Sequence, residues 1–148
     1  MKTTGFYWHV HHDILLEYCY DAQERTDFIL ENKPESERAL RLRLFQPVKG
    51  KLPKAVVKAH IALDKARIAQ DKARITWEKA YIAMQTNKGR GAAAVNRTYI
   101  AWEKACIALN KAEIALDKAV ADNMPAIEAL HAKECPDCPW NGRTIFEE

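Results

Sequence analysis

The chain has 148 residues and a net charge of +3, with 48% hydrophobic and 29% charged residues. This composition excludes a disordered chain and is typical of one domain, or of a compact domain with an elongated appendage. No run approaches the ~18 consecutive apolar residues of a membrane span, and the first residues lack the apolar segment of a signal peptide. Only one pair of the four cysteines has motif-like spacing, which does not suit a framework of disulfides. We therefore expect a reducing, cytoplasmic setting and no membrane partner.

The first fifty residues predict a small α+β unit of strand, helix and strand. Residues 7–20 alternate between apolar and polar side chains, which is typical of a half-buried strand, although a helix over residues 14–20 is an alternative. Asp21 resembles a helix cap, so a short helix should follow and end before Pro34. Residues 40–44 alternate again and predict a second strand, which can pair with the first in parallel.

Two blocks of near-identical heptads, residues 60–80 and 99–119, predict two long helices. The first should run from Pro53 to about Gln85 and the second from about Ala92 to Ala121, around a glycine-containing tip over residues about 86–92. They would form an antiparallel helical hairpin, a coiled coil over residues 53–122. The predicted fold class is therefore α+β. Residues 1–52 and 123–148 form the head, and its two segments meet because the hairpin returns the chain to its base.

Alanine recurs at the 4,3 spacing of coiled-coil core positions in both helices and predicts a closely packed alanine seam. The seam residues are Ala62, Ala66, Ala69, Ala73, Thr76, Ala80 and Ala83, followed by Ala101, Ala105, Ala108, Ala112, Ala115 and Ala119. Isoleucine, leucine and tryptophan flank this seam, and the apolar arc spans about 200°, which is wider than one partner helix needs. A dimer of hairpins forming a four-helix bundle would cover the arc. Lysine stems or the head covering one flank is the alternative.

The sequence Cys135-Pro-Asp-Cys138 near the C-terminus resembles half of a zinc knuckle. Two thiolates at this spacing can bind one tetrahedral ion, and the remaining ligands must come from elsewhere in the chain. His131 is the nearest candidate, and His9 and His11, on one face of the first strand, are the next. The alternative is a turn whose thiols are free, form a local disulfide or carry redox chemistry. The pattern therefore predicts a structural zinc site as one of these possibilities.

His9, His11 and Asp13 also have the spacing of some metallohydrolase sites, in which a metal with an open position activates water. Ile14 stands where the metallo-β-lactamase pattern has a further histidine, and the predicted head is too small for that fold. Histidines that are simply bonded within the sheet are the alternative. No phosphate-binding loop, dinucleotide loop or nucleophile elbow is present in the sequence, so no catalytic residue is assigned.

Charge is distributed unevenly, because residues 12–37 are strongly acidic whereas residues 38–58 contain seven basic residues and no acid. The two segments can neutralise each other, or the basic one can bind nucleic acid. The candidate nucleic-acid contacts are Arg41, Arg43, Lys49 and Lys51, together with Lys88 and Arg90 at the hairpin tip.

Three segments carry a resemblance to a group of small bacterial and phage-associated proteins of unknown function. They are WHVHHDILLEYCYDAQERTDFI, RLRLFQPVKGKLP and CPDCPWNGRTIF. Between the last two segments, that group carries a variable number of heptads similar to AWEKA. The resemblance implies that the two ends form one unit while the length of the hairpin is adjustable, and it implies no catalytic residue.

The role that we expect from these patterns is a non-enzymatic, homo-oligomeric scaffold or adaptor with a protein partner. The alternatives are a nucleic-acid-binding protein that uses residues 38–58 and the hairpin tip, and a small metal-dependent hydrolase.

Overall fold

The computed structural model describes residues 3–147 and confirms the α+β class with a helical hairpin. The strands are β1 (Gly5–Trp8), β2 (Leu16–Cys19) and β3 (Gln46–Pro47), and the helices are α1 (Ala22–Asn32), α2 (Glu35–Leu44), α3 (Lys54–Thr86), α4 (Ala92–Asp122) and α5 (Met124–Glu134). The chain divides into a mixed unit, which comprises the residues up to Leu52 and from Pro125, and a hairpin unit of residues 53–124. Among the described residues, none of the helices combines the length and apolar character needed to cross a membrane.

The sheet of the mixed unit differs from the prediction, because residues 7–20 form two strands rather than one. The chain reverses after Trp8, where His9 adopts a left-handed backbone with φ of 51° and its amide donates to the Leu15 carbonyl at 3.1 Å. The strand order is β2-β1-β3, and both pairs are antiparallel, so the expected parallel pair is wrong. Polar residues between the two apolar runs allow this reversal, and alternation alone does not locate it.

The second predicted strand, over residues 40–44, is also wrong, because these residues end helix α2. A five-residue alternation is too short to exclude a helix. The charges of this segment suit a helix better, because acids occupy its first turn and arginines its last, which stabilises the helix dipole. The Arg41 guanidinium donates to the Glu37 carboxylate at 2.8 Å, one helical turn away. The predicted cap of α1 is confirmed, since the Asp21 carboxylate accepts from the amides of Gln23 and Glu24.

The core of the mixed unit joins both ends of the chain. Trp8, Ile127 and Ile145 are almost completely buried although they come from β1, α5 and the C-terminal segment. The Ile145 amide donates to the His12 carbonyl at 3.0 Å, and the rings of Tyr7 and Phe45 stack at 4.7 Å. The segment after α5 is therefore an integral part of this unit.

The hairpin unit follows the predicted helix boundaries closely, and its helices, of 33 and 31 residues, are each about 45–50 Å long. The tip contains two glycines with left-handed backbones, Gly89 with φ of 81° and Gly91 with φ of 101°. Gly91 immediately precedes α4, where a conformation with positive φ favours a residue without Cβ. These glycines let the chain reverse within five residues.

The seam between α3 and α4 uses a different register from the predicted alanine seam. It is formed by buried and half-buried residues at 4,3 spacing, which are Leu63, Ala66, Gln70, Ala73, Trp77, Ala80 and Met84 on α3, and Thr98, Trp102, Ala105, Leu109, Ala112, Leu116 and Ala119 on α4. Half of the predicted alanines, including Ala62 and Ala108, are exposed. Both registers have 4,3 spacing. The observed register alternates a large residue with alanine and therefore buries more apolar surface than a seam of alanines alone. The rings of Trp77 and Trp102 stack within it at 5.0 Å.

The isoleucines of the heptads lie on the side of each helix away from this seam. Their exposed fractions range from 42% to 59%, which is high for so large an apolar side chain. We name two rows: the α3 edge is Ile61, Ile68, Ile75 and Ile82, and the α4 edge is Ile100, Ile107 and Ile114. Each edge repeats every seven residues.

Replacing Leu109 by alanine should lower the free energy of unfolding of the hairpin unit by about 1–3 kcal/mol, because Leu109 packs in the seam. Replacing the neighbouring Ile107 should change it by less than about 0.5 kcal/mol, because 57% of Ile107 is exposed. Urea denaturation followed by circular dichroism at submicromolar concentration measures both. An equal loss in the two variants would contradict the assigned seam.

Candidate metal centre

Three side chains from distant parts of the mixed unit place metal-binding atoms around one point. Nε2 of His9 lies 3.0 Å from Nε2 of His131 and 3.2 Å from Sγ of Cys138. All three ligand atoms lie within 4.8 Å of one another. Around a tetrahedral zinc ion, the bond lengths imply separations of about 3.3 Å between two nitrogens and about 3.6 Å between nitrogen and sulfur. The three groups are therefore close enough to bind one metal ion.

Local backbone structure positions each of these side chains. His9 follows β1 in its left-handed conformation, which is uncommon for a residue with a Cβ and is found at functional sites. His131 lies in the last turn of α5, and its carbonyl accepts from the Cys135 amide at 2.7 Å. The Cys138 amide in turn donates to the Cys135 carbonyl at 3.2 Å and closes a tight turn. The spacing of Cys135 and Cys138 therefore folds as a compact loop directly after the helix that carries His131.

The protonation of these groups suits metal binding at neutral pH. Burial, together with the neighbouring His131, lowers the pKa of His9 to about 4, although the Ile14 backbone acts in the opposite direction. Burial also lowers the pKa of His131. Both imidazoles are then neutral, and each keeps one nitrogen lone pair for a ligand. Burial raises the pKa of the Cys138 thiol above its usual value of 9.0, so a metal ion must displace its proton.

The surroundings of the three ligands are aromatic and restrict solvent. The His9 ring lies 5.3 Å from the Trp140 ring, and the His131 ring lies 5.0 Å from the ring of the fully buried Trp8. Nδ1 of His9 is buried and has no hydrogen bond of good geometry among the described residues. Nε2 of the same ring faces His131 and Cys138, so it is the nitrogen of His9 that is placed to bind a metal ion.

Glu134 holds the strand, the helix and a loop together beside this group. Its carboxylate accepts from the Trp8 indole at 2.9 Å and from the backbone amides of Lys49 and Gly50. Burial alone would raise the pKa of Glu134, but these three hydrogen bonds outweigh that effect and lower it. Neither Glu134 nor Trp8 is predicted as part of a site, because no spacing in the sequence connects them.

Two of the predicted ligands lie outside the group of three. Nδ1 of His11 is 2.6 Å from a Glu17 carboxylate oxygen on the exposed side of the hairpin between β1 and β2. Cys135 is near the group, because it lines, with Cys138 and Arg43, a cavity of about 180 Å³. The structure therefore brings His9, His131 and Cys138 together, leaves Cys135 beside them and turns His11 away.

The residues considered for other functions are spread over the two units. Arg41 is buried, pairs with Glu37 and lies 5.0 Å from the Phe146 ring centre, so its guanidinium is occupied. Exposed positions are held by Arg43, Lys49 and Lys51 in the mixed unit, by Lys88 and Arg90 at the hairpin tip, and by Asp13 in the turn after β1.

Comparison of the chain with protein-family models, curated proteins and solved structures finds no match. The metal centre is therefore inferred from the geometry of this chain alone.

Replacing Glu134 by glutamine should loosen the mixed unit, because the charge-assisted hydrogen bonds to Trp8, Lys49 and Gly50 become weaker. We expect the protection of the β1 amides against hydrogen exchange to fall about 10-fold to 100-fold, which corresponds to about 1.4–2.7 kcal/mol. Glu128→Gln, an exposed change on the same helix, is the control. Equal protection in both variants would show that Glu134 does not stabilise the unit.

Proposed function

We propose that this protein is a non-enzymatic scaffold that associates with other copies of itself through the hairpin unit, and that a structural zinc ion holds its mixed unit together. Self-association is supported by the exposure of both isoleucine edges to solvent. Monomeric proteins rarely leave long rows of large apolar side chains in water. The repetition of these edges over several helical turns supports an extended contact rather than a small ligand site.

The free energy available from covering one edge can be compared with the cost of association. Complete burial of an isoleucine side chain contributes ~1.5–3 kcal/mol, and the four residues of the α3 edge are each about half exposed. Covering this edge would contribute roughly 3–6 kcal/mol per chain, or roughly 6–12 kcal/mol for two chains. Association itself costs about 4–15 kcal/mol. The apolar gain is therefore of the same order as the cost of association, so contacts beyond the isoleucines also bear on the affinity.

Zinc is the ion that best suits the donor set. Imidazole nitrogen and thiolate sulfur in one tetrahedral group are typical zinc ligands. We propose Cys135 as the fourth ligand, because a tight turn connects it to Cys138 and both residues line one cavity. Cys135 is not one of the three grouped residues, so its side chain would have to turn towards them on metal binding.

A site closed by four protein ligands is structural rather than catalytic. Here the ligands would join the turn after β1, the end of α5 and the loop that follows it. Zinc would therefore connect the turn between β1 and β2 to the C-terminal segment. Its binding energy would add to the stability of the mixed unit.

The zinc proposal predicts which residues matter for metal binding. The full chain should bind one zinc per chain in equilibrium dialysis with elemental analysis. His131→Ala, Cys135→Ser and Cys138→Ser should each weaken binding at least 100-fold, whereas His11→Asn should not change it, because His11 bonds to Glu17 outside the group. Wild-type protein with less than about 0.2 zinc per chain would refute the proposal.

Proton release distinguishes four protein ligands from three. At pH 7.5 the thiols of Cys135 and Cys138 are protonated, because burial raises the pKa of both above 9.0, whereas the histidines are neutral because burial lowers theirs. Zinc binding should therefore release about two protons per ion if both thiols ligate and about one if only Cys138 does. Calorimetric titrations in buffers of different ionisation enthalpy measure this number.

The association proposal is tested by a pair of neighbouring substitutions on α3. Wild-type protein at about 20 µM should be a dimer or larger in native mass spectrometry and light scattering. Ile75→Asp should shift it to monomer, because a carboxylate would enter the α3 edge. Thr76→Asp should not, because Thr76 is exposed but lies about 100° around the helix. A monomeric wild-type protein would refute the proposal.

A further inference from the structure

The α3 edge has charged residues of opposite sign along its two sides. With about 100° of rotation per residue, the lysine four positions after each of the first three isoleucines lies about 40° to one side, and the acid three positions after it lies about 60° to the other side. The lysines are Lys65, Lys72 and Lys79, and the acids are Asp64, Asp71 and Glu78. The isoleucine row therefore lies between a basic side and an acidic side over its whole length.

The arginines of α3 do not interrupt the acidic and basic sides of the isoleucine row. Arg74 lies 2.9 Å from a Glu78 oxygen and 3.9 Å from an Asp71 oxygen. Arg67 and Arg74 follow Ile61 and Ile68 by six positions, so each lies about 120° from the row, on the seam side of the acids. The groups nearest to the isoleucines remain acids on one side and lysines on the other.

This pattern distinguishes between the two ways in which a second α3 edge can pack against the first. If the two helices run parallel, a two-fold axis along them places the lysine side of each copy against the acidic side of the other. If the helices run antiparallel, lysine faces lysine and acid faces acid, and like charges at an interface are destabilising. The pattern therefore favours the parallel arrangement.

We infer that a second copy of this chain binds along the α3 edge with the two α3 helices parallel and in register, so that each isoleucine meets its own counterpart. This inference rests on the self-association proposed above and specifies its edge and direction. The α4 edge is the weaker candidate, because it has three isoleucines rather than four and because Asn110 replaces one acid. Since the α3 edge faces away from the seam, two hairpins would pair side by side rather than stack as a compact four-helix bundle.

Cysteine crosslinking tests the direction of the helices. Ile61→Cys and Ile82→Cys are introduced separately into full-length Cys106→Ser protein, which alone should not crosslink. In a parallel, in-register dimer each variant should form a disulfide with itself under mild oxidation, and most of the protein should migrate as a dimer on a non-reducing gel. In an antiparallel dimer the two ends of the row meet, so a disulfide would form only when the two variants are mixed.

The outcomes separate this inference from the proposal on which it rests. Disulfides within each single variant support the parallel α3 edge. Disulfides only in the mixture, or none in either although native mass spectrometry shows a dimer, would overturn it while leaving self-association intact. A wild-type monomer would refute both.

A charge exchange provides an independent test that introduces no cysteine. Replacing Lys72 and Lys79 by glutamate places acids on both sides of the row, and we expect self-association to weaken at least 10-fold. The reciprocal variant replaces Asp71 and Glu78 by lysine. Mixing the two variants should restore association as a heterodimer, because each acidic side then meets a basic one. Unchanged self-association of each variant alone would contradict the parallel arrangement, because in an antiparallel pair the exchange only replaces one like-charge contact by another. No recovery in the mixture would contradict a contribution of these charges to the contact.

Discussion

The mixed unit depends on one long-range contact, in which Trp8 and His9 at the end of β1 meet α5 and the loop after it. Nε2 of His9 and Nε2 of His131 are 3.0 Å apart although 122 positions separate them in the chain. Closing so long a loop costs conformational entropy, and the contact is made by buried polar groups that are costly unless satisfied. Glu134 meets part of this requirement, because its carboxylate accepts three hydrogen bonds from β1 and the loop before α3. A metal ion bound by His9, His131 and Cys138 would satisfy the remaining buried polar groups. A structural ion therefore suits this position better than a catalytic one.

The hairpin unit differs from the mixed unit, because it joins two helices that follow each other in the chain and that repeat the same heptad. A repeated heptad with an apolar arc of about 200° contains more than one row with 4,3 spacing. The seam takes the row that alternates large residues with alanine, and the stacking of Trp77 on Trp102 is part of that choice. The remaining apolar row, the isoleucines, is thereby turned to solvent. The seam and the exposed edges are therefore two consequences of the same repeat.

The two units support a common view of function, in which a metal-stabilised unit is combined with a hairpin that displays repeated apolar edges. Neither feature requires a reaction centre. The proposed zinc site would be closed by four protein ligands, and the residues first considered for nucleic-acid binding include Arg41, which is buried and paired with Glu37. Because the isoleucine edge repeats with the heptad, a change in the number of heptads would alter the length of the contact without altering its chemistry.

The sequence by itself determined the two long helices and the identity of several candidate ligands. Heptad period, Pro53 and the tip glycines define α3 and α4 within about two residues, since helix boundaries depend on local signals. His9, His131, Cys135 and Cys138 were identifiable from residue type and spacing. Tertiary structure alone decided the rest. The reversal at His9, the helix at residues 35–44 and the choice of seam each depend on which alternative buries more surface or satisfies more polar groups. The separation of His11 from His9 was likewise decided by the reversal, because residues two apart share a face only while the strand continues.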